Sequence, residues 1–113
     1  MRVRKTLFML MTADMDRAVA FYRDALGLRA TSSHWSELAW GDATIALHAG
    51  GDGTYTETGL GFEVEDLDEG CAAVLAHGGQ VRRAPADRPG EPIRLADVVD
   101  PEGNGFSLSQ PKA

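Results

Sequence analysis

Residues 12–28, TADMDRAVAFYRDALGL, decide the fold of this chain. Asp14 can cap the first turn of a helix there, and Gly27 can end the last turn. An apolar, strand-like run at residues 6–11 comes directly before it. The stretch therefore predicts a strand followed by a capped helix. Apolar side chains at steps of three and four residues form the helix face that packs on the core: Met15, Ala18, Val19, Tyr22, Ala25 and Leu26.

The same pattern returns at residues 64–81, VEDLDEGCAAVLAHGGQV. Asp66 can cap this second helix, and Gly78 and Gly79 close it. Placing Asp14 on Asp66 also places Gly27 on Gly79, at an offset of 52 residues in a chain of 113. An internal repeat of this kind predicts two copies of one structural unit. The apolar stripe of the second helix comprises Leu67, Cys71, Val74 and Leu75.

Composition indicates one ordinary globular domain, residues 1–113, with 43% apolar and 25% charged residues. No apolar run approaches the ~20 residues that cross a bilayer, and no signal-peptide pattern opens the chain, so we expect a cytoplasmic protein away from membranes. A net charge of −6 disfavours a nucleic-acid partner. The single cysteine, Cys71, excludes a disulfide or a cysteine–zinc site within one chain.

The segment after the first helix, residues 29–49, predicts two or three strands. Residues 40–43, WGDA, have the Gly-Asp centre of a two-residue hairpin. That turn sets a register in which alternate residues face each other on one side of the sheet. The expected pairs are Glu37 with Ala46, Ala39 with Thr44, and Trp35 with His48. The apolar residues Leu38, Ile45 and Leu47 share the other side, against the helix.

The second half repeats the order. A Gly-rich connector at residues 50–58 separates module 1, about 5–49, from module 2, about 59–110. We expect a strand at 60–65, the second helix, a short strand at 80–84 and a Pro-rich loop at 85–92. Strands at 94–99 and 105–109 flank the turn formers DPEGN at residues 100–104. The predicted order is βαβββ, twice.

Three stretches, ADMDRAVAFYRDALGL, FEVEDLDEGCAAVLAHGG and VVDPEGNGFSL, occur in this order and resemble the vicinal oxygen chelate superfamily. That superfamily includes glyoxalases, bleomycin-resistance proteins and extradiol dioxygenases, and the resemblance covers about residues 7–108. It implies an α+β fold in which two βαβββ modules form an incompletely closed barrel around a ligand cup. It also implies a two-fold homodimer whose modules build two equivalent cups.

The resemblance also indicates where family enzymes bind a divalent metal through His, Gln or Glu. The four matching positions here are Leu7, Ala46, Gly59 and Ser107. None is a plausible ligand for such a metal. We therefore expect neither the family's metal site nor another cofactor.

Strand alternation predicts the cup lining as an apolar floor with a few polar groups, typical of a small-molecule pocket. The same residues could instead fill a core between two sheets. Glu37, Glu63 and Asp97 would make the cup acidic and favour cationic ligands, although each could also be a surface group. The predicted lining comprises Leu7, Met9, Met11, Trp35, Glu37, Ala39, Thr44, Ala46, His48, Gly59, Gly61, Glu63, Leu95, Asp97 and Ser107.

Three functions fit this pattern. The first is a metal-independent binding protein of the bleomycin-resistance type, which sequesters a small aromatic or cationic natural product and so confers antibiotic resistance. The second is an isomerase, lyase or cyclase with Glu63, His48 or Asp97 as catalytic acid or base, or a glyoxalase-like metalloenzyme with unusual ligands such as His48, Glu37 and Glu63. The third is an interaction module with a filled cup.

Overall fold

A computed structural model of the protein describes residues 1–31 and 36–112. The predicted order βαβββ, twice, is confirmed. Module 1 contains β1 (Leu7–Thr12), α1 (Met15–Asp24), β2 (Arg29–Ala30), β3 (Glu37–Trp40) and β4 (Ala43–Ala49). Module 2 contains β5 (Thr56–Glu63), α2 (Leu67–Ala76), β6 (Gln80–Asp87), β7 (Ile93–Val99) and β8 (Asn104–Pro111). Within the described ranges, neither helix is long or apolar enough to cross a membrane.

The two helices obey the predicted repeat at their starts. Each has 10 residues and begins directly after an aspartate. The Asp14 carboxylate accepts a hydrogen bond from the Arg17 backbone N–H at 3.1 Å, and Asp66 does the same for Glu69 at 3.1 Å. Each cap satisfies an N–H that has no partner within its helix. Both helices therefore begin where the sequence predicts.

The helix ends differ between the copies. Gly27 has a φ of 73°, but in the second copy the left-handed residue is Gly78, with a φ of 90°, one position before the aligned Gly79. Gly79 is needed for close packing instead: a β-carbon there would lie 2.6 Å from Val74 Cγ1 and 2.6 Å from the Val99 carbonyl oxygen. The two aligned glycines thus have different roles: Gly27 adopts a left-handed conformation, whereas Gly79 allows close packing.

The strands form two four-stranded sheets. The first sheet has the order β1-β4-β3-β2 and the second sheet has the order β5-β8-β7-β6. In each, the first pair is parallel and the others are antiparallel. The hairpin register is confirmed for Glu37 with Ala46 and Ala39 with Thr44, whereas Trp35 lies outside the described residues. The fold class, α+β with two βαβββ modules and no closed barrel, is confirmed.

Several predicted strand boundaries differ from the observed ones, and the largest differences are at the start of β5 and the end of β6. Strand β5 begins at Thr56, so residues 56–58 of the predicted connector are strand. Strand β6 continues to Asp87, through three of the eight residues of the predicted Pro-rich loop at 85–92. Pro85 is tolerated because β6 is an edge strand and its register shifts between Arg83 and Ala86. A proline there removes no ladder hydrogen bond that the sheet needs.

One core joins the two modules. Phe21 of α1 packs edge-on against Phe106 of β8, with ring centroids 6.2 Å apart. Phe62 of β5 packs against the same ring at 5.7 Å. Cys71 is buried in this core, and burial raises the pKa of its thiol, as expected for an inert side chain. Since both helices lie on the core side, the opposite faces of the sheets are left for ligands.

The predicted turn at residues 100–104 does more than reverse the chain. The buried Tyr22 hydroxyl donates to Asp100 Oδ2 at 2.6 Å, across the two modules. Asn104 Nδ2 donates to the Met11 carbonyl oxygen at 2.9 Å. Glu102, also buried, accepts from the backbone N–H groups that precede α1 and from Arg17 Nε at 2.6 Å. This network holds module 2 against the start of α1.

Candidate ligand-binding site

The first-sheet pocket, of about 230 Å³, lies on the face of the first sheet away from the helices. Met9, Ala46 and Glu37 stand side by side on β1, β4 and β3 and form its floor. Leu7 and Met9 are 45% and 55% exposed although they are apolar. The pocket is therefore open to solvent and partly apolar, which is typical of small-molecule binding sites. All five lining residues belong to the predicted set: Leu7, Met9, Glu37, Ala46 and His48.

The carboxylate in this pocket has a cationic partner. Glu37 Oε1 lies 2.6 Å from Lys5 Nζ, and the Glu37 side chain is only 18% exposed. Lys5 lies in the segment before β1. No local sequence pattern indicates that this segment contacts β3. Because Lys5 balances Glu37, the pocket does not attract cations as strongly as a lone carboxylate would.

The second-sheet pocket, of about 210 Å³, lies on the corresponding face of the second sheet. It contains three predicted residues, Gly59, Asp97 and Ser107. Ser107 of β8 stands between Asp97 of β7 and Gly61 of β5. A β-carbon on Gly61 would lie 2.8 Å from Ser107 Oγ, so the glycine leaves room for that hydroxyl.

The predicted lining does not form one cup within a single chain. It divides between the two pockets because the strands pair only within their own sheets. The edge strands β1 and β5 border a further depression that includes Met11, Thr56 and Thr58. Six described residues of the predicted lining lie in neither the first-sheet nor the second-sheet pocket: Met11, Ala39, Thr44, Gly61, Glu63 and Leu95.

Several residues of the second-sheet pocket were missed: Tyr55, Glu57, Leu60, Arg82, Arg83, Val98, Gly105 and Phe106. Tyr55 falls in the predicted connector, and its side chain lies beneath Arg82, whose Cζ is 3.9 Å from the ring centroid. Arg83 Nε lies 3.6 Å from Asp97 Oδ2. Two of the three predicted acidic groups, Glu37 and Asp97, thus lie beside a cationic side chain.

The family's divalent metal does not fit these residues. The structure places Leu7 and Ala46 at the first-sheet pocket and Gly59 and Ser107 at the second-sheet pocket, and only the serine carries a donor atom. His48 and Glu37 share a pocket, but Glu63 lies outside it. Within residues 1–31 and 36–112, no three His, Cys, Asp or Glu side chains lie close enough together to hold a metal ion.

Two βαβββ modules with open faces opposite a shared helical core define a protein of the vicinal oxygen chelate superfamily. The sequence confirms this class, because residues 7–109 match the glyoxalase-like domain, and the chain belongs to that family.

Two curated relatives are similar over most of this chain. It is 34% identical over 110 residues to CFP32 of Mycobacterium bovis, a glyoxylase by name, covering 90% of this chain and 42% of that protein. The chain thus spans about two-fifths of the length of this relative. It is 32% identical over 124 residues to a lactoylglutathione lyase of Haemophilus influenzae, covering 93% and 90% of the two chains.

Among solved structures, TnmS3, an antibiotic-binding protein from Streptomyces sp. CB03234, superposes with a TM-score of 0.73. The match covers 98% of each chain at 24% sequence identity. At this identity the comparison shows the shared fold and does not identify a ligand.

Proposed function

We propose that this protein binds a small aromatic or cationic natural product without a metal ion, in the manner of bleomycin-resistance proteins. The observation that carries the proposal is the first-sheet pocket, where exposed Leu7 and Met9 stand beside Ala46. Leu7 and Ala46 occupy positions where the family's enzymes carry metal ligands, so apolar surface and free volume replace a metal. Since Lys5 neutralises Glu37, the aromatic part of the ligand contributes more than its charge.

The dimer predicted from the family resemblance belongs to this proposal. Each pocket is open to solvent in the single chain, and Leu7, Met9 and Met11 are 45–55% exposed along β1. Packing the first sheet of one chain against the second sheet of its partner would cover these side chains and close the cup. We propose a two-fold homodimer of this kind, working in the cytoplasm.

The test is a binding screen with a variant that fills the pocket. Wild-type protein is titrated with aromatic and cationic antibiotics by calorimetry and thermal shift. A ligand at 100 times its Kd should stabilise the protein by about 2.7 kcal/mol. Ala46→Leu puts a larger side chain into the pocket floor. It should weaken binding at least ~10-fold, because the leucine occupies volume that the ligand needs.

The matched control is Ala72→Leu, the same substitution on the exposed face of α2. It should leave affinity unchanged. The proposal fails if no compound in the panel raises the melting temperature, or if Ala46→Leu binds its ligands as tightly as Ala72→Leu does.

A second function, enzymatic turnover, is favoured by the identity to a lactoylglutathione lyase. Its candidate residues are dispersed in the single chain: His48 lines the first-sheet pocket, Asp97 lines the second, and Glu63 lines neither. The test combines metal analysis of the purified protein with turnover of lactoylglutathione by wild type and Glu63→Gln. A stoichiometric metal, or turnover that Glu63→Gln abolishes, would replace the binding proposal with this one.

A further inference from the structure

Strand β6 presents two consecutive arginines to one pocket. In a regular strand, neighbouring side chains point to opposite faces. In β6 the pairing shifts between Val81, opposite Val98, and Arg83, opposite Asp97, so that one extra residue is accommodated. Such a bulge redirects side chains, and here both Arg82 and Arg83 line the second-sheet pocket.

The two guanidinium groups have different partners. Arg83 is near Asp97, at 3.6 Å between Nε and Oδ2. Arg82 lies over the Tyr55 ring, with Cζ 3.9 Å from the ring centroid, and forms no ion pair with the residues that the structure describes. Stacking occupies the face of a guanidinium group and leaves the N–H groups along its edge free for a planar anion.

The Tyr55 ring under Arg82 is positioned by the backbone of β8. The Tyr55 ring lies against Gly105, where a β-carbon would approach Tyr55 Cε1 to 2.8 Å. The stack therefore packs on β8, and Ser107 of the same strand lines the same pocket. Glu57 and Asp97 balance the two arginines in overall charge, so recognition here depends on directed hydrogen bonds more than on long-range attraction.

We propose that the second-sheet pocket is an oxyanion subsite, in which the edge of Arg82 binds a carboxylate or phosphate group on the ligand. The inference rests on the proposed function and sharpens it: the ligand carries an aromatic body for the first-sheet pocket and an acidic group for Arg82. Arg-to-carboxylate pairs are short, directional and often bidentate, so they discriminate between an acid and its neutral amide.

The experiment follows arginine Nε–Hε resonances by NMR in the intact protein. The probes are benzoate, phenyl phosphate and benzamide, the last being a neutral amide of nearly the same shape as benzoate. The Arg82 signal is assigned by its loss in Arg82→Gln. Arg23→Gln removes the same charge from the outer surface of α1 and serves as the control.

We expect the Arg82 resonance to shift on titration with an acid probe, with benzamide binding at least ~10-fold more weakly, as loss of a charge-assisted hydrogen bond predicts. Arg82→Gln should weaken the acid probe by a similar factor, and Arg23→Gln should not. The relative response to benzoate and phenyl phosphate identifies the preferred anion. Equal binding of benzoate and benzamide, or equal shifts at Arg82 and Arg23, would overturn the inference.

The methyl resonance of Met9 separates this inference from the proposed function. If Met9 responds to all three probes while Arg82 does not, the apolar site stands and the oxyanion subsite is refuted. If Arg82 responds to the acids while Met9 responds to none, the subsite stands and the aromatic pocket is refuted.

Discussion

The hydroxyl of Tyr22 is the part of the inter-module network that is most directly testable. Tyr22 is fully buried, and its O–H donates to the buried Asp100 at 2.6 Å. Tyr22→Phe removes this one donor and keeps the ring, which packs edge-on against Phe21 with centroids 5.0 Å apart. Because the aromatic contacts persist, a loss of stability would report on the hydrogen bond to Asp100.

The expected size follows from the chemistry of that bond. A hydrogen bond to a charged group contributes roughly 1.5–3 kcal/mol to stability. For a domain of this length, each kcal/mol corresponds to roughly 4 °C of melting temperature, so Tyr22→Phe should melt ~6–12 °C below wild type. Asp100 keeps its bonds from the backbone N–H groups of Glu102 and Asn104, so the fold should survive.

The same contact predicts a pH dependence. Burial, together with the charge of Asp100 and the hydrogen bond to it, raises the pKa of Tyr22 well above 10.0. A pKa that is higher in the folded state gives stability that is complete below the unfolded value and is lost as the pH rises through the folded value. The unfolding free energy of wild type should therefore decline above pH 10.0, and Tyr22→Phe should lack this contribution.

Thermal and urea unfolding, followed by circular dichroism from neutral to alkaline pH, measure both effects. The control is Tyr55→Phe, which removes the hydroxyl of a 41% exposed side chain and should change stability by less than ~0.5 kcal/mol. Two results would contradict this role of the hydrogen bond: Tyr22→Phe melts within about 1 °C of wild type, or Tyr55→Phe lowers the melting temperature as much as Tyr22→Phe does.

Three further variants test other parts of the fold. Burial raises the pKa of Glu102, but Arg17 and two backbone N–H groups outweigh burial and lower the pKa below 4.5. The melting temperature of wild type should therefore fall below pH 4.5, and the melting temperature of Glu102→Gln should fall less over the same range. Gly79→Ala should lower the unfolding free energy by roughly 1–3 kcal/mol in urea, because its methyl group overlaps Val74. Asp66→Ala should cost about 1 kcal/mol in the same assay by removing the cap of α2.

The sequence predicted the elements whose signals are local. Helix caps and apolar stripes lie within a few residues of one another, and both helices begin where Asp14 and Asp66 indicate. The hairpin register around Gly41 was also predictable, since a two-residue turn fixes which residues face each other. Strand alternation also predicts that the five residues lining the first-sheet pocket share one face of the sheet.

The second-sheet pocket was harder to predict because its geometry depends on irregularities in the strands. The register shift in β6 brings Arg82 and Arg83 to one face, and no residue in that stretch signals a bulge. Tyr55 precedes a strand whose start lies inside a Gly-rich segment. The bond from Tyr22 to Asp100 spans 78 residues of sequence, a distance at which a single chain's pattern carries no information about pairing.

The two modules therefore have the same fold but different pocket surfaces. The first-sheet pocket contains Leu7 and Met9, and the second-sheet pocket contains Arg82 over Tyr55. In the proposed dimer, a ligand that uses both faces lies between the first sheet of one chain and the second sheet of its partner, so both cups depend on how the two modules of each chain are placed. That placement depends on the buried bond between Tyr22 and Asp100, and buried polar contacts hold one geometry because their alternatives leave a group unpaired. Tyr22→Phe should consequently weaken binding of benzoate at temperatures where the variant is fully folded, although its hydroxyl touches neither pocket. Unchanged affinity in a destabilised Tyr22→Phe protein would show that each face binds its part of the ligand independently.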